Sequence, residues 1–258
     1  MVCLGEPAEA SGESKSRQKL HIPLAQIELV KKLKELQKPI VAVIFGGRPL
    51  ILTELESFAD AMLFVFMPGT EAGNAIANTL YGDVNPSGRL PMSFPDEEGQ
   101  IPIYYNRLRT VRPKKKADDE FEIFTASYYE GRNQPLYPFG YGLSYTQFKY
   151  GKINLSKDTL SAGDTITASV SVKNIGKTAG EETVLLYIQD TVSSFVRPEK
   201  VLKGFKKIYL EPEKEKTVEF SVCDQLLEYY DSNGNLLLEK GEFKIMIGNE
   251  TAKFNFAG

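Results

Sequence analysis

Three carboxylates crowd one short stretch near the start of the chain. Glu6, Glu9 and Glu13 stand in Gly5-Glu6-Pro7-Ala8-Glu9-Ala10-Ser11-Gly12-Glu13-Ser14-Lys15-Ser16-Arg17. A carboxyl group serves as acid or base when a fold moves its pKa toward the working pH, so carboxylates gathered at a cleft are candidates for proton transfer. Gly12 permits a sharp turn just ahead of Glu13, which would push that carboxylate outward. Composition alone leaves a second reading open, a solvated acidic loop. Other chemistries have little to work with. His21 is the single histidine and reads as structural. Cys3 and Cys223 read as two buried thiols in different domains rather than as a disulfide. So few ligands leave no transition-metal site, and no cofactor is implied.

The elements that must position these carboxylates can be read from the flanking pattern. Val2 to Leu4 reads as the end of a buried strand cut short on its upstream side, and Gly5 to Leu20 as a long loop. The carboxylates therefore sit at the C-terminal end of a strand, where open α/β sheets place their ligands. Leu24, Ile27, Val30 and Leu33, with Leu29 and Leu36, form a wide helical stripe. Ile40 to Phe45 is a continuous β-rich run, as expected of a strand covered on both faces of a mostly parallel sheet. Ala61 to Met67 predicts a second buried strand, broken by Pro68-Gly69. A helix follows, with Ala72, Ala75, Ile76, Thr79 and Leu80 on one face and Gly82 at its end. Pro68-Gly69-Thr70-Glu71-Ala72-Gly73-Asn74 lacks the spacing and lysine of a phosphate loop and reads as scaffold. Asn85-Pro86-Ser87-Gly88 reads as a turn before a strand-like Leu90-Pro91-Met92-Ser93-Phe94.

Residues 96–136 look like a long connection of low periodicity, in which Lys114-Lys115-Lys116 is offset by Asp118-Asp119-Glu120. From Phe148 onward the pattern becomes alternating. Ile166, Ala168, Val170 and Val172, then Val218, Phe220 and Val222, then Phe243, Ile245 and Ile247 each skip one residue. Asp231-Ser232-Asn233-Gly234 is a hairpin signal. The fold class is thus an α/β sandwich with a mostly parallel sheet, truncated at its start, in residues 1–145. An all-β immunoglobulin or fibronectin type III-like sandwich of about seven strands follows in 146–258.

The chain has 258 residues, a formal net charge of −3 and a hydrophobic fraction of 42%. That charge balance gives no electrostatic case for a nucleic-acid or membrane partner. No apolar run reaches membrane-span length. Met1-Val2-Cys3-Leu4 passes into Gly-Glu-Pro with no leader pattern, and a cytoplasmic location is favoured over secretion, the compartment itself staying open. The patterns Asn154-Leu155-Ser156 and Asn249-Glu250-Thr251 match a glycosylation acceptor but carry no weight without secretion.

Taken in order, Gly5-Glu6, Ser11-Gly12-Glu13, Ser16-Arg17, Ile22-Pro23 with Gln26, the Pro68 to Asn74 run, Asn85 to Pro91 and Tyr137-Pro138-Phe139-Gly140-Tyr141-Gly142-Leu143-Ser144-Tyr145 resemble the C-terminal half of family 3 glycoside hydrolases, the β-glucosidase and β-xylosidase family. The resemblance implies that Glu13 is the general acid/base of a retaining hydrolysis of terminal β-linked sugars. Its substrate would be a β-linked oligosaccharide or an aryl or alkyl glycoside. It also implies a nucleophilic aspartate on a (β/α)8 barrel that these residues do not contain, so that a barrel in cis or in trans is the expected partner. Two departures stand out: Gln18-Lys19 where the family commonly has Thr-Asp, and Phe66 where it commonly has Trp. Tyr137 to Tyr145 is expected to pack the chain against its core rather than to hold sugar. Substrate-binding residues stay unassigned, and a homo-oligomer stays open. The competing reading is a non-catalytic module that binds carbohydrate or a protein.

Overall fold

The computed structural model describes residues 1–108, 112 and 124–258. The lysine run and acidic run at 114–120 lie outside the described residues. The chain divides into two compact units, one of Met1–Leu80, Leu90–Tyr105 and Arg112–Tyr141, the other of Tyr81–Arg89, Asn106–Val111 and Gly142–Gly258.

The first unit is built on a three-stranded parallel sheet of β1 (Val2–Gly5), β2 (Val41–Phe45) and β3 (Ala61–Phe66), in that order. Helices α1 (Leu24–Lys34), α2 (Thr53–Glu56) and α3 (Ala72–Tyr81) connect and follow the strands. The central β2 is buried on both faces, with Ala42, Val43 and Ile44 fully enclosed. Its continuous apolar run is what two-sided burial requires. Leu4, Ile27, Val30, Leu50, Leu55 and Phe94 complete the core around it.

Three expectations change here. Only Ile27 and Val30 of the α1 stripe are buried, whereas Leu24, Leu29 and Leu36 face solvent. A stripe records what a helix can bury, and this unit covers only its central turns. β3, expected to be buried, is exposed at Ala61 and half-buried thereafter; it is one of the two edge strands of this sheet. Leu90 to Phe94 forms one isolated bridge, Phe94 with Tyr137, rather than a strand. Pro91 and Pro95 each lack the N–H that a ladder needs.

Tyr137 is fixed from several sides. Its backbone exchanges bonds with Phe94 (2.8 and 3.3 Å), its ring stacks on Tyr141 at 4.9 Å, and its hydroxyl donates to Glu56 at 2.8 Å. Burial, then the Glu56 carboxylate, push the phenol pKa well up. Phe139 stacks on Tyr105 at 4.5 Å. Ahead of β2, the Asp60 carboxylate accepts the Ile40 N–H at 2.8 Å and a bond from the Lys34 ammonium at 3.2 Å. Those two contacts hold its pKa below the ordinary value, the backbone bond contributing most.

The second unit is a sandwich of nine strands among the described residues, where about seven were expected. One sheet pairs β4 (Phe148–Tyr150), β5 (Asn154–Leu155), β7 (Thr165–Asn174) and β10 (Glu215–Cys223). The other runs β6 (Thr159–Leu160), β14 (Glu250–Phe256), β13 (Gly241–Ile247), β8 (Gly180–Asp190) and β9 (Val201–Leu210). The surplus comes from two-residue strands such as β5 and β6, too short to show alternation in a sequence. Every second residue of β7, from Ile166 to Val172, is fully buried, as a strand with one face on the core requires. The hairpin at Asp231–Gly234 joins β11 (Tyr229–Tyr230) to β12 (Leu236–Leu237).

Asn174 is enclosed, and its amide is satisfied in full. Its Nδ2 donates to the Thr178 and Leu210 carbonyls (2.9 and 3.0 Å), while its Oδ1 accepts from the Thr146 hydroxyl and the Gly176 N–H (2.5 and 3.0 Å). Tyr81–Arg89 belongs to this unit through Asn85. That amide donates to the Ala179 carbonyl at 2.7 Å and accepts from the Ser144 hydroxyl and the Tyr145 N–H. Arg89 is ion-paired with Glu182, and Ser87 is bonded to Glu181. The two cysteines are free and lie in different units; Cys3 is exposed and Cys223 half-buried. The expectation of two buried thiols does not hold, since Cys3, on the edge strand β1, is exposed and Cys223 is only half-buried.

Candidate active site

The acidic loop leaves β1 at Gly5, whose backbone has φ +136°. A side chain there would meet the Phe45 carbonyl oxygen at 1.8 Å, so glycine is the one residue that allows this exit. The Gln26 side chain, near the start of α1, then caps the strand. It accepts the Gly5 N–H at 2.8 Å and donates to the Gly5 carbonyl at 3.0 Å, copying a neighbouring strand.

The next residue, Glu6, turns inward. Its side chain is only 2% exposed, and its Oε1 accepts from Arg17 Nη1 at 2.6 Å. Arg48 Nε lies 3.2 Å from the same oxygen, but its N–H is directed elsewhere, so this contact is an ion pair rather than a hydrogen bond. Glu6 Oε2 is buried with no hydrogen-bond partner. Arg48 reaches further with its other nitrogen: Nη2 donates to the Ala10 carbonyl at 2.8 Å and to the Lys15 carbonyl at 3.3 Å. One guanidinium thus ties both shoulders of the loop, and the residues between them project.

Glu13 stands on that projection, between Gly12 and Ser14, both with left-handed backbones. It is exposed, and no hydrogen bond or ion pair holds its carboxylate among the described residues. Glu9 is exposed on the short 3-10 turn Ala8–Ala10. Beside the loop lies an open depression of about 340 Å³ at the C-terminal ends of all three parallel strands. Glu6, Ser11, Gly47, Phe66 and Met67 help to line it, while Glu13 stands two residues beyond Ser11 and outside the lining. A side chain on Gly47 would come within 2.7 Å of Ser11 Oγ and 2.8 Å of Met67 Cε, so the bare backbone here lets the loop lie close. Phe66 closes the other wall in a left-handed conformation, φ +51°, that aromatic residues rarely adopt. Edge-on contacts with Phe64 at 4.7 Å and Phe94 at 6.3 Å surround it.

The structure gives the three acids of the loop different settings. Glu6 is a buried counter-ion, and among the described residues Glu9 and Glu13 have no hydrogen-bond or ion-pair partner. His21 is half-exposed, 3.6 Å from Glu97 and 3.8 Å from Glu98, away from this loop. Among the described residues no group of three or more His, Cys, Asp or Glu is arranged to hold a metal ion. Sequence reasoning missed Arg48 altogether and gave Arg17 and Gln26 no task. The available signal was Gly46-Gly47-Arg48 directly after a buried strand, the same sheet end that carries the acidic loop.

A parallel sheet with an acidic loop at its strand ends thus precedes, in the chain, a mostly antiparallel sandwich. Residues 1–145 match the glycosyl hydrolase family 3 C-terminal domain, and residues 182–251 match a fibronectin type III-like domain. The chain belongs to glycosyl hydrolase family 3. A periplasmic β-glucosidase of Salmonella typhimurium is 43% identical over 253 residues, and a β-xylosidase of Formosa agariphila is 37% identical over 248. Those alignments cover 98% and 96% of this chain but 33% of each relative. The chain thus spans about a third of the length of these relatives. The β-glucosidase of Listeria innocua, solved with glucose, superposes with a TM-score of 0.94 at 38% identity, over 100% of this chain and 36% of that one.

Proposed function

We propose that this chain supplies the general acid/base, Glu13, to a retaining β-glycosidase whose nucleophile comes from a barrel domain. Retaining hydrolysis needs two carboxyl groups about 5–5.5 Å apart, one ionised as nucleophile and one protonated as acid. Glu6 is unsuited to either role, because two guanidinium groups hold it as a buried counter-ion. Glu13 is suited to the second. Protonated, it would deliver its proton to the leaving glycosidic oxygen; as a carboxylate, it would then take a proton from the attacking water. The observation that carries this reading is the display of Glu13: an exposed carboxylate, unpaired among the described residues, on a turn whose two shoulders are tied to Arg48 just past β2. The proposed substrates are terminal β-linked sugars, in keeping with the β-glucosidases and the β-xylosidase it resembles.

The test uses two proteins, the chain alone and a chimera in which it replaces the matching 36% of the Listeria innocua enzyme. The chain alone should show no turnover of an aryl β-glucoside, since one carboxylate cannot complete a double displacement. The chimera should turn over, and Glu13→Gln should lower its rate on a β-linked disaccharide by roughly 10²–10⁴-fold. Full activity in Glu13→Gln refutes the assignment. Sugar binding by the isolated chain, with an inactive chimera, would instead favour a non-catalytic module.

A further inference from the structure

We propose that Arg48 is a positioning residue for Glu13, a role that rests on the acid/base reading above. The loop from Ser11 to Ser16 has little order of its own. Its one internal backbone bond is a long one, Lys15 N–H to the Gly12 carbonyl at 3.3 Å, and residues 12 and 14 both have left-handed backbones. Among the described residues nothing else tethers the Glu13 side chain. A carboxylate on such a turn would sweep a volume several ångströms across, whereas proton transfer needs its oxygen within hydrogen-bond reach of the leaving atom.

Arg48 removes that freedom from outside the loop. Nη2 grips Ala10, three residues before Glu13, and Lys15, two residues after it. The guanidinium is itself aimed by the Glu6 carboxylate 3.2 Å from Nε, and Glu6 is aimed by Arg17 at the far end of the same loop. The anchor lies three residues beyond the end of the central strand β2, whose Ala42, Val43 and Ile44 are fully enclosed. On one rigid plane Nη2 reaches the two carbonyls while Nε stays beside Glu6, and the single point charge of a lysine cannot occupy both positions, so lysine is no substitute here. Because Arg48 is already paired with Glu6, its influence on Glu13 runs through geometry rather than through charge.

Leaving-group dependence separates this role from simple support of the fold. A β-linked disaccharide expels an alkoxide and needs the proton, while a dinitrophenyl glucoside expels a stable phenolate and does not. In the chimera, Arg48→Met should lower kcat/KM on the disaccharide by ~10²-fold, the scale of an ångström-size misplacement, with dinitrophenyl glucoside kcat/KM changed less than ~3-fold. Arg48→Lys, which keeps a positive charge beside Glu6, should show the same split with thermal unfolding within a few degrees of the parent, whereas Arg48→Met also deprives Glu6 of one guanidinium and should unfold at a lower temperature. Equal losses on both substrates, or no loss on either, overturn the proposal. Glu13→Gln, run alongside, separates the two levels. If it shows the split and the Arg48 variants do not, the positioning role alone fails. If it shows no split, or if the unsubstituted chimera is inactive, the acid/base reading fails and carries this one with it.

Discussion

Replacing Glu6 by Gln isolates the charge of the buried acid from its shape. The side chains are the same size, and the partnerless Oε2 position can receive the amide nitrogen while Oε1 keeps its bond from Arg17. What disappears is the negative charge between two guanidinium groups at 2.6 and 3.2 Å. At an effective dielectric of about 20, each contact carries roughly 5–6 kcal/mol of attraction before desolvation is subtracted. Removing one partner of a fully buried pair costs about 3–5 kcal/mol. Arg17 and Arg48 keep 25% and 23% of their side-chain exposure, so water recovers part of that loss. The expected net cost is about 2–3 kcal/mol, which at a urea dependence of about 2–3 kcal/mol per molar lowers the unfolding midpoint of this unit by about 1 M. The loop should loosen with it. Lys15, Arg17 and Lys19 offer trypsin three sites there, so pulse proteolysis in increasing urea reads both effects. An unchanged midpoint, with cleavage at those sites within twofold of the parent, would show that the buried triad does not hold the loop.

Further expectations follow from the same geometry. Gly5→Ala combines a left-handed backbone with a contact at 1.8 Å from the Phe45 carbonyl oxygen, and should destabilise the first unit by about 3 kcal/mol or more; a denaturant midpoint equal to the parent would contradict it. Asn174→Ala orphans four polar groups in the sandwich interior and should cost about 3–4 kcal/mol, seen in thermal unfolding of the second unit. For Asp60, the folded pKa lies below the ordinary 3.8, so the unfolded chain binds the proton first as pH falls. Its stabilisation is complete above about pH 4 and fades as pH drops through the folded value. The stability gap between parent and Asp60→Asn should therefore be constant from pH 5 to 7 and shrink below pH 4. A gap that widens in acid has the wrong sign for this linkage.

How much of this could be read beforehand differed by element. β2 was legible because six apolar, mostly β-branched residues lie between Pro39 and Gly46, and nothing but a covered strand uses them economically. The hairpin at Asp231–Gly234 was legible because its turn chemistry is local. The candidate acid was found through a motif, but its setting was not. Whether Glu6 is buried depends on Arg48, 42 positions on, and no pattern within the loop reports that distant guanidinium. The exposure of Leu24 and Leu29 was equally hidden, since helical spacing says which residues share a face and not how much of that face finds cover. Asn85 looked like an ordinary turn residue because its partners lie 60 and 94 positions away.

That asparagine also dictates how the gene can be cut. A recombinant sandwich started at residue 146 would discard the Asn85 amide, the Ser144 hydroxyl that bonds to it and the Arg89 guanidinium on Glu182. The Ala179 carbonyl would then have to find water instead, and Glu182 would be left with its bond from the Tyr150 hydroxyl. Any shuffling experiment that treats this module as portable must therefore take a second, earlier piece of coding sequence, residues 81–89, as part of the cargo.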